Sequence, residues 1–220
     1  MKKNNTHWIW VIIFITIPFL YAGIEYNNLP DTIPIHFNIS GEADGWGSKE
    51  NIFMMPAIMG IVSLIVFSIL SNLKKIDPKR YEKSGEGYFR NFGIFSVLFL
   101  SIISMTIIYS TIHPSGVGAN KLIFPIIGLG ISGLGFFMPK IPQNYFVGIR
   151  LPWTLESREN WEATHTLGGK IWIAGGIGII ATSFLIKPEI FGIIFLIFIA
   201  IMVLIPVFYS YRMFRASKKN

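Results

Sequence analysis

The sequence predicts an all-α fold: a polytopic integral membrane bundle of six transmembrane helices with both termini in the cytoplasm. Three observations lead there. The 220 residues are 52% apolar and 14% charged, with a mean hydropathy of +0.54, against roughly 25% charged for soluble domains. Six uncharged runs approach the ~20 residues that span hydrocarbon. The basic residues are also distributed asymmetrically between the connections.

The first run, His7–Ile24, follows Lys2 and Lys3 and contains Pro18, which bends a helix. A cleaved signal peptide is the competing reading, but Leu20 occupies a place before Ala22 where cleavage wants a small side chain. Further spans follow at Ile52–Leu73, Asn91–Ile112 and Leu122–Met138. A fifth, Ile171–Ile186, extends back to Leu167–Lys170, and the sixth is Ile190–Tyr211. Gly128 with Ser132, and Ala174 with Gly178, are small-xxx-small pairs that permit close helix contact. No internal repeat supports an inverted-repeat transporter.

The cations test the topology. With the N-terminus, second and fourth connections and C-terminus inside, sixteen of nineteen Lys and Arg residues are cytoplasmic; Lys49, Lys121 and Lys187 are the exceptions. That agrees with the positive-inside rule and explains the net charge of +7 without nucleic acid. The absence of cysteine removes disulfides, thiol catalysis and cysteine-ligated metals. No Asp, Glu, Lys or Arg interrupts a span, which argues against an ion-coupled pump. Polar chemistry is therefore confined to two connections. The chain divides into a two-helix unit (1–73), a basic connection (74–90) and a four-helix unit (91–220).

The outer connection, Glu25–Glu50, contains LPDTIPIHFNISGEADGWGSKE. Ile33, Ile35 and Phe37 alternate with polar or proline positions, which predicts a short extended piece. Gly41, Gly45 and Gly47 then allow tight turns around Glu42, Asp44 and Trp46. His36, Phe37, Asn38, Gly41, Glu42, Asp44 and Trp46 form a candidate recognition surface. In the plainer reading Asn38, Glu42 and Asp44 hold the turns while Trp46 anchors at the headgroups. A divalent cation on His36, Glu42 and Asp44 is chemically feasible, but no HExxH or helically spaced His pair accompanies it; no metal or cofactor is expected.

The inner connection is Asn144–His165, NYFVGIRLPWTLESRENWEATH. Ser157 stands where an N-cap belongs and Glu159 in the first turn, so a helix begins near Arg158 and puts Trp161 and His165 on one face. The candidates are Asn144, Gly148, Arg150, Pro152, Trp153, Thr154, Asn160, Trp161, His165 and Lys170. They serve as an interfacial anchor with cations on lipid phosphate, or as a docking surface for a cytosolic protein. A hydrolase would use His165 as base beside Glu162, but no nucleophile elbow is present.

GIRLPWTL at 148–155, ENW at 159–161, His165 and the GK pair at 169–170 resemble the signature of the SdpI family of bacterial immunity proteins. IPIHFN at 33–38 with GEADGWGSK at 41–49 resembles a domain of unknown function often found ahead of it. The resemblance implies a non-enzymatic protein of the bacterial cell membrane. Its partners would be membrane lipids, a secreted peptide toxin and an ArsR-type repressor or other cytosolic protein. A small transporter or lipid-handling protein is the alternative reading, and a membrane hydrolase the second.

Overall fold

A computed structural model describes residues 6–38, 40–78, 85–114 and 119–218. Lys2, Lys3, Lys79, Arg80, Lys83 and Lys219, all counted in the topology argument, lie outside the described residues. Among the described residues six helices are long and apolar enough to cross a membrane. They are α1 (Thr6–Glu25), α2 (Met54–Ser71), α3 (Gly85–Ile112), α4 (Ala119–Phe137), α5 (Arg158–Leu185) and α6 (Pro188–Ser217). Large apolar side chains point outward throughout; Leu196 is 67% exposed and Phe208 62%. Such helices suit hydrocarbon, which solvates apolar side chains as well as a core does.

The chain forms two compact units, one of Met1–Asn72 with Phe89–Ile126 and one of Leu73–Tyr88 with Ile127–Asn220. In the first, Val11, Phe67 and Val97 make a buried cluster, flanked by Phe14, Ile15 and Ile94. A second cluster, Ala22, Ile33, Ile52 and Ile108, underlies a β-hairpin. Strands β1 (Thr32–Phe37) and β2 (Ala43–Ser48) pair antiparallel, with Ile33 opposite Gly47 and Pro34 opposite Trp46. The extended piece at Ile33–Phe37 is thus present, whereas the glycine-rich stretch expected to turn around Asp44 and Trp46 is itself a strand. Gly45 and Gly47 serve that pairing: a Cβ on Gly45 would lie 2.9 Å from the His36 Cβ, and one on Gly47 3.1 Å from Ile35.

In the second unit α5 lies between α4 and α6. A Cβ on Gly128 would stand 2.6 Å from the Gly176 carbonyl oxygen, and one on Gly135 2.8 Å from that of Gly169. Ser132 Oγ donates to the Ile173 carbonyl between them at 3.3 Å. The Gly128–Ser132 pair therefore does allow close approach, against Ile173, Gly176 and Ile180. The Ala174–Gly178 pair does not form a face of this kind: Ala174 is exposed, while Gly178 receives the Phe198 ring of α6.

Proline shapes one helix in each unit. Pro18 has no N–H, so the Phe14 carbonyl one turn earlier loses its helical donor; Ser101 Oγ of α3 donates to it at 2.6 Å. Pro206 leaves the Met202 carbonyl free in the same way, and Trp172 Nε1 of α5 donates to it at 3.1 Å. Hydrocarbon offers no water to such a carbonyl, so a neighbouring helix must supply the donor.

Candidate functional site

The hairpin tip is built by Asn38. Its N–H donates to the Glu42 carbonyl at 2.9 Å and its Oδ1 accepts from the Glu42 N–H at 3.0 Å. Gly41 takes the left-handed φ of +82° that this turn requires. Glu42 is drawn toward Asn38, whose Nδ2 donates to its carboxylate at 3.2 Å. His36 Nδ1 lies 2.5 Å from Asp44 Oδ1 across the strands, with both side chains exposed. Along β2 Asp44, Trp46 and Ser48 alternate outward, and Trp46 is 57% exposed. Phe37 and Asn38 are half-buried. The strands thus bring His36, Asp44 and Trp46 onto an accessible surface but separate Glu42 from the His36–Asp44 pair. Among the described residues no three His, Asp or Glu side chains converge as a metal site would need.

The inner stretch has the opposite character. After α4, Asn144 holds a tight loop: its Oδ1 accepts from the N–H groups of Phe146 and Val147 at 2.7 and 2.8 Å. Its Nδ2 donates to the Pro142 and Val147 carbonyls. Gly148 follows at φ +113°, packed so closely that a Cβ would collide with His165 Nε2. The Ile149 N–H donates to that same Nε2 at 2.9 Å, while His165 Nδ1 lies 2.7 Å from the Trp161 carbonyl. Only a neutral ring protonated on Nδ1 satisfies both contacts. Trp161 stacks on the imidazole at 4.0 Å between ring centroids, and its Nε1 donates to the Ile141 carbonyl at 2.8 Å.

Pro152 opens a helical turn, Pro152–Glu156, where its missing N–H costs nothing. Thr154 Oγ1 accepts from the Leu151 N–H and donates to the Ile149 carbonyl. Arg150 Nη1 donates to the Tyr145 carbonyl at 2.6 Å. Ser157 caps α5 by accepting the Asn160 N–H at 3.2 Å, as its place in the sequence predicts. Asn160 Nδ2 donates to the Ser210 carbonyl of α6, and Trp153 Nε1 to the Ser210 hydroxyl at 2.9 Å. The Trp153 ring stacks against Phe214.

Most of the signature is therefore internal. Asn144, Thr154, Asn160, Trp161 and His165 are all buried, so these five do not form an exposed docking surface as the chain stands. Gly148, Arg150, Pro152 and Lys170 remain exposed, and Trp153 is half-buried. A catalytic His165 also loses its geometry, because both ring nitrogens already serve backbone groups and Glu162 is engaged with Arg158 at 2.8 Å. An open groove of about 480 Å³ on this side is lined by Glu159, Glu162, Thr166 and Lys170 of α5 with Tyr209 of α6. Gln143, Ser210 and Asp77 complete the loop's support without belonging to the motif. Gln143 donates to the Thr154 and Leu155 carbonyls, and Asp77 accepts the Tyr145 N–H.

Residues 140–210 match the SdpI/YfhL protein family, and residues 13–60 match a domain of unknown function (DUF1648). Over 223 aligned residues the chain is 26% identical to the immunity protein SdpI of Bacillus subtilis, covering 98% of this chain and 97% of that protein. An uncharacterized protein of Archaeoglobus fulgidus is 36% identical over 70 residues, 32% of this chain and 38% of its own length. No solved structure matches. The resemblance carried by the motifs is borne out, and with six spans the protein is a multi-pass protein of the bacterial cell membrane.

Proposed function

Taking the SdpI/YfhL match as the premise, we propose that this is a non-enzymatic membrane immunity protein that protects its cell from a secreted, membrane-active peptide. The observation that carries the reading is the near full-length similarity to an immunity protein, joined to a hairpin that presents His36, Asp44 and Trp46 outward. An indole beside an exposed imidazole–carboxylate pair suits a peptide that partitions into the interface. In this reading residues 1–73 carry the recognising hairpin and residues 91–220 the responding helices, with 74–90 connecting them; residues 89–126 pack with the hairpin in the first unit. The reading takes the hairpin as outside and the α4–α5 connection as cytoplasmic, which the positive-inside distribution supports.

The cytoplasmic part would hold a cytosolic protein such as an ArsR-type repressor. The α5 groove, with Glu159, Glu162 and Lys170 at its surface, is the available docking face; the buried motif residues keep it in shape. Coupling requires two arrangements that differ in affinity for the peptide, and the glycine-lined α4–α5 contact is where helices slide without displacing large side chains.

Membrane depolarisation by candidate killing peptides, in cells with and without the protein, tests this. Protection that disappears in Glu42→Ala and Asp44→Ala at unchanged expression supports recognition by the hairpin. Absence of protection against every peptide tested, including any encoded beside the gene, rejects immunity. The lipid-handling alternative keeps one specific support, an apolar cavity of about 580 Å³ lined by Phe14, Ile17, Leu98, Met105 and Leu122.

A further inference from the structure

A second cavity, of about 390 Å³, lies beneath the hairpin in the first unit. Its walls are mostly apolar: Ile35 and Phe37 of β1, Met55 of α2, Ile107 of α3, and Ile123 and Phe124 of α4, with Thr106 of α3, whose hydroxyl already donates to the Ile102 carbonyl. His36 and Asn38 stand at one end, where the hairpin meets water. Ser110, two residues before the end of α3, also lines it. That hydroxyl belongs to a side chain only 3% exposed and has no hydrogen-bond partner. A helical serine ordinarily donates to the carbonyl one turn back, as Ser96 and Thr106 do in the same helix. Leaving a buried hydroxyl unpaired costs free energy, and buried polar groups with no partner call for an explanation.

We infer that this cavity binds the glycerol-ester end of a membrane phospholipid, with an acyl chain along Met55, Ile107 and Ile123 and the ester carbonyl accepting from Ser110. The chemistry selects this occupant. A lipid chain brings many methylenes and few acceptors, which matches walls of hydrocarbon with one unused donor. A peptide backbone brings an N–H and a carbonyl at every residue, and most would remain unpaired here. The polar end formed by His36 and Asn38 suits the headgroup side of the ester. A bound lipid would also fill the space under β1, so that the shape of the recognition hairpin depends on the membrane. The inference is independent of the immunity reading, because binding is measured without any toxin.

The test uses the full chain, purified in detergent and titrated with dioleoyl phosphatidylglycerol by native mass spectrometry. The wild type should retain one lipid more tightly than the rest. Ile107→Trp, which fills the cavity, should lose that lipid, and Ser110→Ala should hold it about fivefold more weakly, as for one lost hydrogen bond. Ile177→Trp, on an exposed face of α5, should behave as wild type. Because Ile107→Trp can perturb folding, the same site is mapped in the wild type with a diazirine-bearing acyl chain. Crosslinks on Met55, Ile107 or Ile123 support the inference. Crosslinks confined to other faces, or a tight lipid retained in folded Ile107→Trp, overturn it.

Discussion

The hairpin and the α4–α5 connection use the same residue types for opposite ends. His36 is an exposed partner of Asp44, whereas His165 is fully buried with both nitrogens on backbone groups. Trp46 is 57% exposed and Trp161 1%. Both Asn38 and Asn144 organise a turn, but Asn38 does so at a hairpin tip and Asn144 inside the second unit. In the first region the backbone of two strands holds side chains out; in the second, side chains hold an irregular backbone in. A long motif of polar and aromatic residues therefore need not be a contact surface. Irregular backbone near a membrane has many N–H and carbonyl groups to satisfy, and this motif supplies their partners.

The sharpest way to break the contrast is Gly148→Val. At φ +113° a β-branched residue is strained, and its Cβ would meet His165 Nε2. A loss of about 4 kcal/mol or more is expected from strain and collision together, seen as failure to accumulate in the membrane or as early thermal unfolding in detergent. Normal thermal stability would show that the loop has another conformation open to it.

Paired tryptophan substitutions follow. Trp161→Ala removes a buried ring, its stack on His165 and the bond to the Ile141 carbonyl, with an expected cost of about 3–5 kcal/mol. Trp46→Ala should stay within about 0.5 kcal/mol, as exposed substitutions do, yet reduce protection against the peptide. Equal effects on unfolding temperature would erase the distinction between the two regions.

These pairs also mark what the sequence makes legible. Hydropathy locates the six spans because only length and apolar content matter to a bilayer. Ser157 announces the start of α5 because capping is local, and Trp161 and His165 share a face by helical spacing alone. Burial of the motif is not legible in this way. The hydrogen bonds that the side chains of Asn160, Trp153 and Thr154 donate go to backbone carbonyls or the distant Ser210, and no residue pattern records a carbonyl's position. Strand β2 is hidden for a related reason: ADGWGS reads as turns until His36 and Ile35 leave no room for a Cβ at Gly45 and Gly47. The proline carbonyls are an intermediate case. Pro18 and Pro206 point to the orphaned oxygens of Phe14 and Met202, but nothing local names Ser101 and Trp172 as their donors.

That intermediate case extends the comparison into the bilayer. Ser101→Ala and Trp172→Phe each remove the donor and keep most of the packing. Interhelical hydrogen bonds in membranes average ~0.6 kcal/mol and reach ~1.7; about 1 kcal/mol is expected for each, since no water replaces the donor. Unfolding in detergent or a bilayer mimetic, with Thr182→Ala as an intrahelical control, measures it. Costs below the control's would mean that the kinks satisfy their carbonyls in another way.

The smallest change in stability should come from Asp44→Asn. The amide oxygen still accepts from the imidazole, the strand pairing through Gly45 and Ala43 is untouched, and an exposed ion pair contributes little. Unfolding should be indistinguishable from wild type. What changes is the charge the hairpin presents beside Trp46. If that charge takes part in capturing a cationic peptide, protection falls while the fold stands, and its salt dependence falls with it. Unchanged protection would assign recognition to the indole and the strand edge, and leave the His36–Asp44 pair as a brace across the hairpin.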